Sequence, residues 1–145
     1  MTIREFDNGL DRAGVIALWN EVFGVRTGRH DPAVSIDAKR KQNDRLFFVA
    51  VEGAVIGTVM AGYDGHRGWI YAVAVAPSHR NRGIGSALMR HAEAALAALG
   101  CLKINLQVMP ENQPVVAFYE KLGYVVEPRI SMGKAVEVKS GGDKR

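Results

Sequence analysis

Apolar and polar positions alternate along this chain with periods that change from two to three or four, and the changes mark its elements. Thr2-Ile-Arg-Glu-Phe6 alternates and predicts a first strand. Val15, Leu18, Trp19 and Val22 share a helical face, with Asn8 as N-cap, Asp11 in a capping-box position three residues on, and Gly24 as the stop. Asp31-Pro32 supplies an N-cap and a proline at the first helical position, so a short polar helix should run to about Asn43. Leu46–Val51 and Ala54–Ala61 read as two strands joined by a tight turn at Glu52-Gly53. A second turn, Asp64–Gly68, leads to a third long strand, Trp69–Val75.

That strand ends in Ala76-Pro77 and runs into Ser-His-Arg-Asn-Arg-Gly-Ile-Gly-Ser86. A helix then spans Gly83 to about Leu99, with Ile84, Ala87, Leu88, Ala92, Ala95, Leu96 and Leu99 on one face and Gly100 as a left-handed C-cap. Leu102–Met109 predicts a strand and Glu111–Leu122 a helix, and Tyr124–Val126 and Arg129–Val138 predict the last two strands. The order is β-α-α-β-β-β-α-β-α-β-β. Hairpins combined with a βαβ crossover make the fold class α/β with a mixed sheet. Residues 1–139 read as one domain and residues 140–145 as a flexible C-terminal tail.

The turn before the third helix is where chemistry concentrates. Gly83 and Gly85 carry no Cβ, so an anion can approach the backbone amides there. The first amides of a helix lack intrahelical partners and sit at the positive end of its dipole. Arg80 and Arg82 add charge-assisted donors suited to phosphate oxygens. The amides from Arg82 through Ser86, Ile84 included, are therefore candidates for holding a phosphate group. No Lys-Ser/Thr follows the glycines, which argues against a P-loop. Leu88 stands where a dinucleotide fingerprint has its third glycine.

Composition narrows the classes further. The chain has 145 residues, 48% of them hydrophobic, and a formal net charge of +4. The basic residues are scattered and do not interleave with aromatics, so no nucleic-acid partner is expected. Lys39-Arg-Lys41 reads as a solvated helix face. The single cysteine, Cys101, permits no internal disulfide and reads as a buried structural thiol. No apolar run is long enough to span a bilayer and no signal-like segment opens the sequence, so the expectation is a cytoplasmic protein with no membrane partner. Four scattered histidines and one cysteine show no metal-ligand spacing.

Arg80-Asn-Arg-Gly-Ile-Gly85 resembles the Arg/Gln-x-x-Gly-x-Gly/Ala signature of the GNAT superfamily of acyl-CoA N-acyltransferases. A second segment, Asn112-Gln-Pro-Val-Val-Ala117 with Tyr119-Glu-Lys-Leu-Gly-Tyr124, resembles another motif of that superfamily, and the element order is similar over nearly the whole chain. Gly57–Gly68 further resembles a small bacterial subgroup, the YpeA-like acetyltransferases.

The resemblance implies a GNAT fold, acetyl-CoA as cofactor and transfer of acetyl directly to a primary amine in a ternary complex. It places Val73 and Val75 against the pantetheine arm, with an amide near Val73 on the thioester carbonyl. It makes Asn112 a cofactor contact, while the residue's own context also suits an N-cap. It makes Tyr119 the general acid beside the sulfur, the alternative being a core aromatic next to Phe118. Many members carry a glutamate on the strand before the cradle. Here Trp69–Val75 has no carboxylate, which leaves the general base open. Tyr71 is a candidate to face the substrate and order a water, and Asp64, His66 and Glu111 are loop candidates for the base, each also readable as a solvated turn residue. The acceptor, a small-molecule amine or a peptide or protein amine, is not specified. An acyl-CoA sensor without catalysis and a transferase of another short acyl group stay open. Pairing through the last strands would make a homodimer.

Overall fold

A computed structural model describes residues 1–137. The expected tail, 140–145, and Val138 at the end of the expected final strand lie outside the described residues. The chain divides into two compact units, Met1–Val108 and a second beginning at Met109.

The first unit holds a five-stranded sheet in the order β1-β2-β3-β4-β5. Its elements are β1 (Thr2–Glu5), α1 (Asn8–Phe23), α2 (Pro32–Gln42), β2 (Phe47–Glu52), β3 (Ala54–Tyr63), β4 (Gly68–Val75), α3 (Ile84–Ala98) and β5 (Ile104–Asn105). The first four strands are antiparallel neighbours. β4 and β5 are parallel, and α3 is the crossover between them.

Local chemistry sets the boundaries. Asp7, rather than Asn8, caps α1: its side chain accepts from the Leu10 amide at 3.0 Å, and Asp11 Oδ2 returns the contact by accepting from the Asp7 amide at 2.8 Å. The N-cap thus lies one residue earlier than the sequence predicts, and Asp11 stands four residues after it rather than three. Asp31 caps α2 as expected, and Asn43 ends it in the left-handed region with φ 49°. The end of α3 is a Schellman motif, in which the Gly100 amide bonds the Ala97 carbonyl and the Cys101 amide the Leu96 carbonyl. Because α3 stops at Ala98, Leu99 is exposed, although its spacing put it on the apolar face.

The sheet is covered on both faces. Phe47 stacks on Phe6 and Trp19, on the α1 side, while Phe48 meets His91 of α3 edge to face. Adjacent strand residues point to opposite faces, so α1 and α3 sandwich the sheet. Val15, Ile36, Val49, Val59, Leu88, Met89 and Leu96 are fully buried between these layers.

At Gly57 on β3 the side chains of α3 pack directly against the strand backbone. A Cβ there would lie 2.8 Å from Leu88 Cδ1, 3.2 Å from the Ala74 carbonyl oxygen and 3.3 Å from Ile84 Cγ2. The Ala74 oxygen is backbone and cannot rotate away. Gly57→Val is expected to destabilise the fold by about 2–3 kcal/mol through overpacking. Urea unfolding checks this, and an unchanged midpoint would show that α3 can move away without cost.

The second unit contains a short 3₁₀ turn, Pro110–Asn112, and α4 (Val115–Lys121), which ends in another Schellman motif at Gly123. The strands expected at Tyr124–Val126 and from Arg129 onward do not form within residues 124–137. Val125, Val126, Ile130 and Met132 are exposed there. A homodimer paired through those strands has no strand to rest on among the described residues. The strand expected over Leu102–Met109 contracts to Ile104–Asn105.

Candidate active site

The cofactor-side candidates of the first unit lie along one continuous path, β4, the turn after it, and the start of α3. β4 is irregular in its middle. Thr58 pairs with Ala74 and Met60 with Tyr71, so β4 spends one residue more than β3 over this stretch. That is a β-bulge at Ala72–Val73. Ala72 sits in the left-handed region with φ 51°. For an alanine this conformation costs on the order of 1–2 kcal/mol, so neighbouring contacts must hold it. Thr58 Oγ1 donates to the Ala72 carbonyl at 2.8 Å, and Trp19 Nε1 donates to Thr58 Oγ1 at 2.9 Å. Both side chains are buried. In the sequence Thr58 is one more strand residue and Trp19 one more apolar position of a helix. Their spacing of 39 residues becomes a contact only through packing of α1 on β3.

On its other edge β4 pairs with β5 only at Gly68↔Ile104 and Trp69↔Asn105. From Ile70 to Val75 that edge carries no strand within the described residues. An extended ligand arm can add to such an edge by main-chain hydrogen bonds. Val73 and Val75 lie on this stretch and are half-buried.

The turn after β4 has the form of an anion cradle. Asn81 and Gly83 both adopt positive φ, 64° and 77°. A Cβ built on Gly83 meets nothing within 4 Å, so the space above it is open. No side chain caps α3, and its first turn contains no acidic residue. The first helical bond runs from the Ala87 amide to the Gly83 carbonyl. The amides of Ile84, Gly85 and Ser86 precede it and have no intrahelical acceptor. These features fit a pyrophosphate.

The flanking cations are lightly tethered. Arg80 Nε donates to the Val75 carbonyl at 3.3 Å. Arg82 Nη1 and His79 Nε2 lie 3.5 and 3.6 Å from Glu52 Oε2. Glu52 is a neighbour of the cradle that the sequence presented only as half of a hairpin turn.

Tyr71 is exposed on β4, and burial of part of its ring, together with the Asp64 charge, raises its phenol above the usual value. Asp64 accepts from the amides of His66 and Arg67, both at 2.7 Å. The Arg67 amide, then the His66 amide, hold its carboxyl below the ordinary range. A carboxylate so engaged is a weak proton acceptor. His66 is exposed in the same turn. Cys101 is half-buried in the loop before β5, not buried in a strand, and its thiol donates to the Lys103 carbonyl at 3.2 Å.

In the second unit, Asn112 is exposed and does not cap α4. Pro114 holds the N-cap position, and no side chain caps that helix. The capping alternative for Asn112 therefore fails, because the chain turns through a separate 3₁₀ segment first. Glu111 is exposed in that segment. Tyr119 is half-buried, with ring centroids 5.0 Å from Phe118 and 6.0 Å from Tyr124. Burial pushes its phenol above the usual value.

A mixed sheet with a bulged fourth strand, opening beside an uncapped helix start, is the frame of an acetyl-transferring enzyme. The acetyltransferase (GNAT) family model matches residues 13–124, and the chain belongs to that family. Its members use acetyl-CoA and act on amine acceptors. The chain is 42% identical to an acetyltransferase of Yersinia enterocolitica over 139 residues, covering 95% of this chain and 97% of that one. It is 41% identical to an acetyltransferase of Yersinia pseudotuberculosis with the same coverage. Among solved structures, the PaiA N-acetyltransferase of Thermoplasma acidophilum in complex with coenzyme A is similar in fold, with TM-score 0.76 and 20% identity, covering 89% of this chain and 92% of that one. Ard1 of Thermoplasma volcanium is similar with TM-score 0.71 and 27% identity, covering 87% and 83%. No helix among the described residues is long and apolar enough to cross a membrane.

Proposed function

We propose that this chain is an N-acetyltransferase that moves the acetyl group of acetyl-CoA directly to a primary amine in a ternary complex. The observation that carries the reading is the uncapped start of α3 behind left-handed Gly83, following the bulge of β4. The family model runs through parts of both units, which supports treating residues 1–139 as one functional domain.

Acetyl-CoA supplies the acetyl group activated as a thioester. The amides from Arg82 through Ser86, with Gly83, Ile84 and Gly85 between them, hold the pyrophosphate, and Arg80 and Arg82 neutralise its charge. Arg82 exchanges a long contact with Glu52 for the phosphate. The edge of β4 at Val73 and Val75 takes the pantetheine arm, and the Val73 amide polarises the carbonyl. Asn112 contributes a side-chain amide to the cofactor. Its exposure and lack of a capping duty support that role.

Tyr119 holds the proton for the leaving thiolate. A raised phenol is protonated at neutral pH, and sharing its proton offsets charge as it develops on sulfur. On the acceptor side we place Tyr71, Asp64 and His66. β4 reads Gly-Trp-Ile-Tyr-Ala-Val-Ala-Val and offers no carboxylate. The amine must then arrive largely neutral, which favours an α-amine, whose pKa is ≈ 7.7–8.0, over a lysine near ~10.4. The rate should rise with pH through the acceptor's own pKa. Cys101 donates to a backbone carbonyl, which supports direct transfer over an acetyl-cysteine route.

Calorimetric titration with acetyl-CoA, followed by coenzyme A release against a panel of amines, tests the reading. Binding is expected in the native chain. Tyr119→Phe should lower kcat about a hundredfold, the lower range of general-acid contributions, with KM for acetyl-CoA little changed. Because burial raises the Tyr119 phenol, no loss of rate from its ionisation is expected between pH 6 and 9. Absence of acetyl-CoA binding overturns the reading.

A further inference from the structure

We propose that Trp19 and Thr58 are positioning residues for the β4 bulge, and through it for the amide that meets the thioester. The inference rests on the reading of the site given above. Trp19 of α1 donates to Thr58 Oγ1 at 2.9 Å, and Thr58 donates to the Ala72 carbonyl at 2.8 Å. An indole N–H can only donate, so it uses an acceptor lone pair of the hydroxyl and leaves the hydroxyl proton for Ala72. The direction of the chain is thereby fixed from α1 to β4.

Its end point is the residue where β4 leaves regular geometry. Ala72 holds φ 51°, and the register on either side is Thr58↔Ala74 and Met60↔Tyr71. Pulling the Ala72 carbonyl toward β3 fixes the peptide plane between Ala72 and Val73, and so the direction of the Val73 N–H. Trp19 is 4% exposed and Thr58 fully buried, so water cannot replace either partner. The two bonds link α1 to a carbonyl that a regular β3–β4 ladder would not leave for a side chain.

A structural role alone would make Thr58→Val less stable and weaken all ligands alike. A positioning role has a different signature, because the cradle reads coenzyme A while the bulge amide reads the acetyl carbonyl. Calorimetry with acetyl-CoA and with free coenzyme A, below the melting temperature of each variant, separates them. Thr58→Val should weaken acetyl-CoA by about three- to tenfold, the scale of one lost hydrogen bond, with coenzyme A changed less than twofold. Thr58→Ser should restore the native ratio, and Trp19→Phe should reproduce the loss in part. Backbone chemical shifts of the ligand-free protein by NMR should move at Ala72 and Val73 in Thr58→Val, without a matching change at Val49 or Val59. Equal loss for both ligands, or no loss in a folded Thr58→Val protein, overturns the inference while leaving the cradle intact. Failure of the native chain to bind either ligand instead removes the reading on which the inference rests.

Discussion

Gly85→Glu is expected to lower affinity for acetyl-CoA at least about a hundredfold while leaving the melting temperature unchanged or raised. The two effects have opposite signs because the same helix end serves both. Gly85 is the second residue of α3, and the first turn contains no acidic side chain. A glutamate there complements the helix dipole and replaces a poor helix former, each worth about 0.3–1 kcal/mol. The added carboxylate also occupies and repels the position proposed for the pyrophosphate. Losing two charge-assisted hydrogen bonds at about 1.5 kcal/mol each already corresponds to roughly a hundredfold. Gly85→Gln separates bulk from charge and should lose distinctly less. Gly83→Glu is a poorer probe, since φ 77° strains any side chain there. Undiminished affinity in folded Gly85→Glu would remove the pyrophosphate from this helix.

The cradle was legible in the sequence because its signals are local. Two glycines, two arginines and a following apolar period of three and four are contained in Arg80–Leu96. Gly24, Asp31-Pro32, Glu52-Gly53 and Gly100 likewise act on the backbone within a few residues of themselves, and each ends or starts an element where expected. The bulge at Ala72 was not legible. Trp69–Val75 reads as an uninterrupted strand, and the extra residue exists only relative to the register of β3. Thr58 looks like any strand threonine until α1 brings Trp19 to it.

The expected C-terminal strands fail for a related reason. Val125, Val126 and Ile130 have the β-branched composition of strands, but propensity measures how a residue fits a ladder. No ladder includes residues 124–137. The contraction of β5 to two residues shows the same dependence on a neighbour.

Asp11→Ala should be the most destabilising polar substitution in the first unit, at about 3 kcal/mol, or a fall of roughly 10 °C in melting temperature for a chain of this size. Asp11 is 2% exposed. Arg4 Nη1 and Nη2 donate to its two oxygens at 2.7 and 2.9 Å, and the Asp7 amide donates to Oδ2 at 2.8 Å. The bidentate pair ties β1 to the first turn of α1, and the amide contact closes the capping box. Removing the carboxylate leaves the guanidinium unpaired and the helix start half-capped. Arg4 keeps about a third of its side chain in water, which holds the cost at the lower end for a broken buried pair.

Burial alone would raise the Asp11 carboxyl. The Arg4 hydrogen bond, the Asp7 amide and the Arg4 charge outweigh it, and the net displacement is downward. A carboxyl lowered on folding contributes its full stabilisation above its unfolded value, about 3.9. The contribution fades as pH falls through that value toward the lower folded one. Native protein and Asp11→Ala should therefore differ most in urea midpoint above about pH 5, and the difference should shrink steadily as pH falls below about 3.9. A constant difference across that range would assign the effect to capping geometry rather than to charge. Neither result should alter the ratio of acetyl-CoA to coenzyme A affinity at temperatures where the variant is folded. Asp11 and Trp19 both belong to α1, yet only Trp19 reaches the bulge, through Thr58. Anchoring of the helix and positioning of the β4 amide are thus separable on one element, the first read in urea and pH, the second in the discrimination of an acetyl group.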